Sequence, residues 1–197
     1  MSRFHDHRLD RNSPGRVRKA ELMTPPDHTV TVSLARADER PLIAGMAQFY
    51  IYDFSDMQPV PDDDFDFEPD GSFGPFPHFD DYWSDPARVV LLIRVGSKPA
   101  GFALLNTHSH FGGEVEHNMG EFYVARKFRR SGVAAEALRL ILKAYPGHWE
   151  FAVMARNHAA QAFWPRAIAS APNVSNITRA EGDGTHWTGP IWSCDAS

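Results

Sequence analysis

Val124-Ala-Arg-Lys-Phe-Arg-Arg-Ser-Gly-Val-Ala134 decides how the rest of the chain is read. A strand-like run, Glu121 to Ala125, enters this stretch, and a helix-like run, Ala134 to Ala144, leaves it. A strand, a basic turn with a glycine and a helix start make a ready anion site. The first helical turn carries N–H groups with no partner inside the helix, and the helix dipole adds about half a positive charge there. Arg126, Lys127, Arg129 and Arg130 crowd the same turn. The pattern predicts a phosphate-bearing ligand at this place.

Working outward, the elements form a consistent order. Thr29 to Ala35 alternates and is β-branched, which predicts a first strand. Asp38 stands where it can cap a helix beginning near Arg40, with Pro41 at an early helical position. Leu42, Ile43, Met46, Phe49 and Tyr50 then recur at helical spacing. Residues 54–86 are irregular and mix acids, glycines and prolines with many aromatics. Arg88 to Val95, the turn Gly96-Ser97 and Lys98 to Thr107 predict an antiparallel hairpin. Residues 108–117 read as a loop and Met119 to Ala125 as the next strand. Pro146-Gly147 ends the following helix, and His148 to Ala155 reads as a strand. Asn157 is placed to cap a helix through about Ile168. Ser170 to Asn176 reads as a loop, with closing strands at Ile177 to Arg179 and Trp187 to Ser193. Two strand–helix–strand steps ask for parallel pairing, and the hairpin and tail for antiparallel pairing. The expected class is α/β, with a central mixed sheet flanked by helices.

Composition narrows the function classes. The chain has 197 residues, enough for one domain with a substantial core. No apolar run approaches the ~20 residues of a membrane span, so no membrane partner is expected. The basic N-terminus lacks the apolar region of a secretory signal, and the expected location is cytoplasmic. A single cysteine, Cys194, excludes an internal disulfide framework. It is expected to be inert, since a reactive thiol needs an electropositive niche. Net charge is −5 but uneven. Residues 1–28 read as a flexible basic tail. Tails this short are more often solvated than bound to nucleic acid, so nucleic acid is not an expected partner. Residues 53–70 carry Asp53, Asp56, Asp62, Asp63, Asp64, Asp66, Glu68 and Asp70 without a base.

Arg129-Arg130-Ser131-Gly132-Val133-Ala134 fits the pattern Q/R-x-x-G-x-G/A. A second pattern follows one strand later, at Asn157-His-Ala-Ala-Gln-Ala-Phe-Trp164. Together the two resemble the GNAT superfamily of N-acetyltransferases over roughly residues 29–193. Tyr52 to Ser55, Asp81 to Trp83, Ala100 to Leu104 and Pro146 to Glu150 point to a bacterial branch of predicted acetyltransferases. The resemblance implies one acetyltransferase domain, residues 29–195, with a GNAT-like sheet and acetyl-CoA as co-substrate without a metal. It implies that Arg129, Arg130, Ser131, Gly132, Val133 and Ala134 hold the pyrophosphate, Asn157 the pantetheine arm, and that Phe163 and Trp164 pack across the cofactor.

The chemistry expected from that likeness is direct attack of a primary amine on the thioester, without an acyl-enzyme. The ammonium must first lose a proton, and Glu121 is the first candidate base, with Glu116 and His117 behind it. An N–H near Val124 would hold the oxyanion. The family places a tyrosine where Trp164 stands, to protonate the leaving thiolate. An indole cannot supply that proton at neutral pH. Water can finish the step, or Tyr123 or Tyr52 can substitute. Pro165 is expected to kink or end its helix near Trp164. The acids and aromatics of 53–83 predict a cationic acceptor, a small molecule or peptide. A non-catalytic acyl-CoA-binding module of the same fold stays open as the alternative. A homodimer also stays open. His108, His110 and His117 match no common metal spacing.

Overall fold

The computed structural model describes residues 28–57, 66–73 and 76–197. Nearly all of the basic tail, and Asp62, Asp63 and Asp64 of the acidic stretch, lie outside the described residues.

The strands are β1 Val30–Leu34, β2 Val89–Val95, β3 Lys98–His108, β4 Glu114–Val124, β5 Gly147–Ala152, β6 Val174–Glu181 and β7 Pro190–Ala196. The helices are α1 Arg40–Ser55, α2 Asp81–Ser84, α3 Val133–Ala144 and α4 His158–Ser170. The strands make one sheet in the order β1-β2-β3-β4-β5-β7-β6. The β4–β5 pair is parallel and the others are antiparallel. This is the mixed α/β sheet that the strand–helix pattern predicts.

Alternation along the strands sorts the core onto two faces. Leu91 and Ala103 pack with Leu138, Ile141 and Leu142 of α3 and with Trp164 and Ile168 of α4. Their neighbours Leu92, Phe102 and Leu104 pack with Ile43 and Ala47 of α1 and Tyr82 of α2. So α1 and α2 cover one face, and α3 and α4 cover the other. In α3 the buried positions Val133, Ala137, Leu138, Ile141 and Leu142 follow the helical period. Each buried leucine or isoleucine there contributes about 1.5–3 kcal/mol.

Four local expectations are corrected. Asp38 does not cap α1. A three-residue turn, Ala37–Glu39, precedes the helix. The cap moves back to Arg36, whose N–H donates to Glu39 Oε2 at 2.9 Å, while Asp38 pairs with the Arg36 side chain at 3.0 Å. The 108–117 loop is shorter than expected, because β4 already starts at Glu114, opposite His108. Its polar residues hid a strand that backbone pairing with β3 creates. β6 likewise starts at Val174, inside the expected 170–176 loop, through pairing with β7. Finally, α4 does not end at Trp164 but runs through Pro165 to Ser170. The proline costs about 3 kcal/mol. Burial of Trp164, Ala167 and Ile168 on both sides of it offsets that loss.

One irregularity in β4 positions the site. Leu105 lies opposite Met119, yet Leu104 lies opposite Glu121. Gly120 is therefore an extra residue, a β-bulge. Met119 and Glu121 would share a face in a regular strand. Here Met119 joins the α3–α4 core, and Glu121 turns to the α1 face.

Candidate active site

β4 and β5 pair only at His117–Trp149 and Asn118–Glu150. Beyond that point they part. The chain after β5 turns to the β7 side, where Val153 N–H donates to the Pro190 carbonyl at 3.0 Å. A cavity of about 500 Å³ opens in the gap. Met119 to Phe122 form its β4 wall, and Ala152, Val153 and Met154 form its β5 wall. Asn157, Ala160 and Trp164 of α4 line it from one face of the sheet, and Tyr50, Ile51 and Phe54 of α1 from the other. Phe76, Pro77, His110 and Trp187 complete the lining.

The antiparallel ladder aims unpaired backbone into the gap. Ala125 N–H donates to the Ala100 carbonyl at 2.8 Å, so Ala125 bonds toward β3. Alternate residues of such a strand point their amides the other way. Phe122 and Val124 therefore present theirs toward the gap, where β5 does not pair with them. The Val124 carbonyl is already held by Arg129 Nε at 2.6 Å.

Glu121 is the one carboxylate of the described lining. The Tyr50 hydroxyl donates to its Oε2. Burial raises the Glu121 carboxyl from its ordinary value to about 7, and the hydrogen bond from Tyr50 opposes part of that rise. Burial, then the neighbouring carboxylate, hold the Tyr50 phenol well above its ordinary value, so it stays protonated. Gly120 leaves room for the polar pair behind them. A Cβ there would sit 2.5 Å from Tyr82 Oη and 2.6 Å from Asn106 Nδ2. Asn106 Nδ2 donates to Tyr82 Oη at 2.6 Å.

The basic turn sits at the end of β4. Gly132 is the residue before α3 and has φ +84°, a left-handed conformation that favours glycine. The space beside it is open. Arg130 also has positive φ, +61°. These backbone angles bring the chain sharply into the helix start. Ser131 Oγ donates to the Phe128 carbonyl at 2.7 Å. Asp53, at the end of α1, clamps the turn from below. It accepts Arg126 at 2.6 Å and Arg129 at 2.5 Å, with only 16% of its own side chain exposed. Arg129 is thus engaged by Val124 and Asp53, and it braces the turn. Arg130 is exposed and has no side-chain partner among the described residues.

The other expected residues fall in different places. Asn157 caps α4, its Oδ1 accepting Ala160 N–H at 3.0 Å, and it also lines the cavity. Trp164 lines the cavity with 7% exposure, its ring 4.8 Å from Phe151 and 5.4 Å from Phe122. Phe163 stacks on Phe122 at 6.1 Å. Tyr123 does not line the cavity. It points into the α1-face core, 5.5 Å from Phe102, with Arg129 over its ring. Tyr52 is exposed against Phe73. Glu116 accepts the His148 N–H, and the His117 ring nitrogen lies 3.1 Å from the Pro146 carbonyl, both away from the lining. Cys194 is fully buried and its thiol is pushed up to about 12, chiefly by burial. No group of three His, Cys, Asp or Glu stands together among the described residues as a metal site requires.

Sequence reasoning missed five contributors. Tyr50 lay on the apolar stripe of α1 and read as core. Asp53 read as one of many loop acids. His110 was weighed only as a metal ligand, and Trp187 read as the start of a closing strand that in fact begins at Pro190. Gly120 carried a usable signal, because a glycine inside a strand often marks a bulge.

The model of the acetyltransferase (GNAT) family matches residues 58–168, more than half of the chain. The chain belongs to the acetyltransferase (GNAT) family. It is therefore an acyltransferase. No curated protein matches the chain. An acetyltransferase from Thermus thermophilus aligns with a TM-score of 0.58 at 13% identity, covering 88% of this chain and 100% of that one. A GNAT-family acetyltransferase from Streptococcus agalactiae aligns at 0.58 and 12% identity, covering 85% and 95%. PaiA N-acetyltransferase from Thermoplasma acidophilum, in complex with coenzyme A, aligns at 0.52 and 9% identity, covering 86% and 99%. At these identities the likeness is one of fold. The parted β4–β5 pair is the opening that this GNAT sheet leaves at its centre. No helix is long and apolar enough to cross a membrane, among the described residues.

Proposed function

We propose that this family member moves an acetyl group from acetyl-CoA to the primary amine of a cationic small molecule or peptide, by direct attack. The observation that carries the reading is Glu121, a carboxyl raised to about 7 at the β4–β5 opening and hydrogen-bonded by Tyr50. A base with a pKa near the working pH is best matched to deprotonating an amine.

The residues present fit the co-substrate. Gly132 and Arg130 shape a helix start with free amides, and Arg130 and Lys127 supply positive charge. Asn157 lines the same cavity as Glu121. The PaiA relative contains coenzyme A, which supports the same assignment here. Acetyl-CoA, when bound, supplies an acetyl thioester at the gap. Glu121 takes the proton of the incoming ammonium and so exposes its lone pair. The outward amides of Phe122 and Val124 stabilise charge that develops on the carbonyl oxygen. Trp164 lines the cavity and has no proton that it can give at neutral pH. As the C–N bond forms and the C–S bond breaks, the nitrogen gives up its second proton, and water at the cavity mouth relays it to the departing thiolate.

Thiol release from acetyl-CoA across a panel of amines tests the reading. Amine-dependent release is expected, with loss of CoA binding in Gly132→Val. CoA binding with no release above background for any amine removes the catalytic role of Glu121. Unchanged CoA affinity in Gly132→Val removes the pyrophosphate assignment.

A further inference from the structure

The walls of the cavity narrow the acceptor further, on the premise that the acetyltransferase reading above holds. The α4 side, with Asn157 and Trp164, belongs to the co-substrate. The remaining walls are Tyr50, Phe54, Phe76, Pro77, His110 and Trp187, which leaves the acceptor end almost wholly aromatic and apolar. These rings brace one another. Tyr50 stands edge-on to Phe54 at 4.7 Å and to Phe76 at 6.1 Å, and Trp187 edge-on to His110 at 4.7 Å. Trp187 is further fixed by its Nε1, which donates to the Val153 carbonyl at 3.2 Å. Such a pocket favours an apolar body at little ordering cost.

Charge points the same way. Among the described lining residues Glu121 is the one carboxylate, and none is Lys or Arg. His110 stays neutral near pH 7, because burial, then His108, lower its pKa. Among the described residues, the acids nearest these walls are already engaged. Asp53 holds Arg126 and Arg129, and the buried Glu150 behind His110 accepts the Ser109 hydroxyl at 2.8 Å and the His110 N–H at 3.1 Å. One ammonium entering the cavity is matched by Glu121. A second would lose its water without a counter-ion, and a ring face attracts a cation but does not neutralise it.

We infer that the acceptor is a monoamine, one primary ammonium on an apolar, ring-bearing body, and neither a polyamine nor an aminoglycoside. The aromatic walls take the body, and Glu121 takes the single charge.

The test uses the full chain saturated with CoA for binding, and with acetyl-CoA for turnover. 2-Phenylethylamine, spermidine and an aminoglycoside are compared by calorimetry and by thiol release. The ring-bearing monoamine should bind, and react by kcat/KM, roughly tenfold better or more, equivalent to one decade of affinity. Trp187→Ala and Phe76→Ala should each erode that preference while the CoA affinity holds. Selective binding of the monoamine without turnover upholds the pocket assignment and overturns the catalytic reading alone. Turnover of spermidine or the aminoglycoside at equal or higher kcat/KM overturns the monoamine class and leaves the acetyltransferase reading standing. Binding of none of the three also overturns it. If Trp187→Ala fails to fold, Phe76→Ala and the wild-type panel decide.

Discussion

Tyr50 on α1 donates its phenolic hydrogen to Glu121 on β4, across the opening where β4 and β5 part. The bond joins two opposed effects on one carboxyl. Burial favours its neutral form, and the phenol favours its charged form. The balance lies at about 7, where a carboxylate is still present at neutral pH and still basic enough to take a proton.

Tyr50→Phe removes the donor and leaves burial unopposed. The Glu121 carboxyl should then rise above its present value. Since the base acts as a carboxylate, activity rises with pH through its pKa. The acidic limb of kcat/KM should lie near pH 7 in the wild type and at higher pH in Tyr50→Phe. A limb that stays in place would show that Glu121 is not the group being titrated.

Glu121→Gln should lower kcat by roughly 10²- to 10⁴-fold, the usual worth of a positioned base. It should also stabilise the fold at neutral pH. Between pH 4.5 and about 7 the folded protein keeps a proton that the unfolded chain has lost, so stability falls as pH rises through that window. The shift corresponds to about 3 kcal/mol at most, at about 1.4 kcal/mol per pH unit. Urea unfolding at pH 4.5 and pH 8 measures it. The wild type should lose stability between the two relative to Glu121→Gln, and parallel behaviour of both proteins would contradict the burial of the charge.

Gly120→Ala tests the bulge. The new methyl would meet Tyr82 Oη and Asn106 Nδ2 at distances no carbon tolerates. Overpacking of this kind costs about 1–3 kcal/mol. Tyr82 and Asn106 must withdraw, and the Leu104 carbonyl at 3.2 Å presses β4 to shift as well, which moves Glu121 away from Tyr50. A lower melting temperature together with a lost or displaced acidic limb is expected. A stable variant with the wild-type pH profile would mean that Glu121 does not depend on the bulge.

Asp53→Ala releases Arg126 and Arg129. Arg126 is largely exposed and Arg129 partly so, so solvent screens both pairs and the fold loses little stability. The larger effect is expected on CoA, because the turn before α3 loses its clamp. Calorimetry should show weaker CoA binding with a normal denaturation slope. CoA affinity equal to the wild type would show that the turn holds its shape without α1.

The basic turn before α3 was legible because its geometry is local. Strand, basic turn, Gly132 and α3 follow one another in the chain, and the conformation that glycine favours is a property of single residues. Asn157 was legible for the same reason, since a cap bonds within three residues of itself. The fold class was legible, because periodicity distinguishes strands from helices. The polar first half of β4 and the start of β6 were not, because backbone pairing with neighbouring strands formed them without an apolar pattern.

The amino-acid sequence by itself determined the family of fold and the place where phosphate is expected. It also placed Glu121 on the right strand. Only the tertiary structure decided which way Glu121 points, because a one-residue bulge reverses the side of every residue after it. It also decided that burial raises the proton affinity of Glu121 while Tyr50, 71 positions away in sequence, opposes that rise, and that Arg129 is a brace held by Asp53. Burial and long-range pairing fix such properties, and neither is written in any single stretch of the chain.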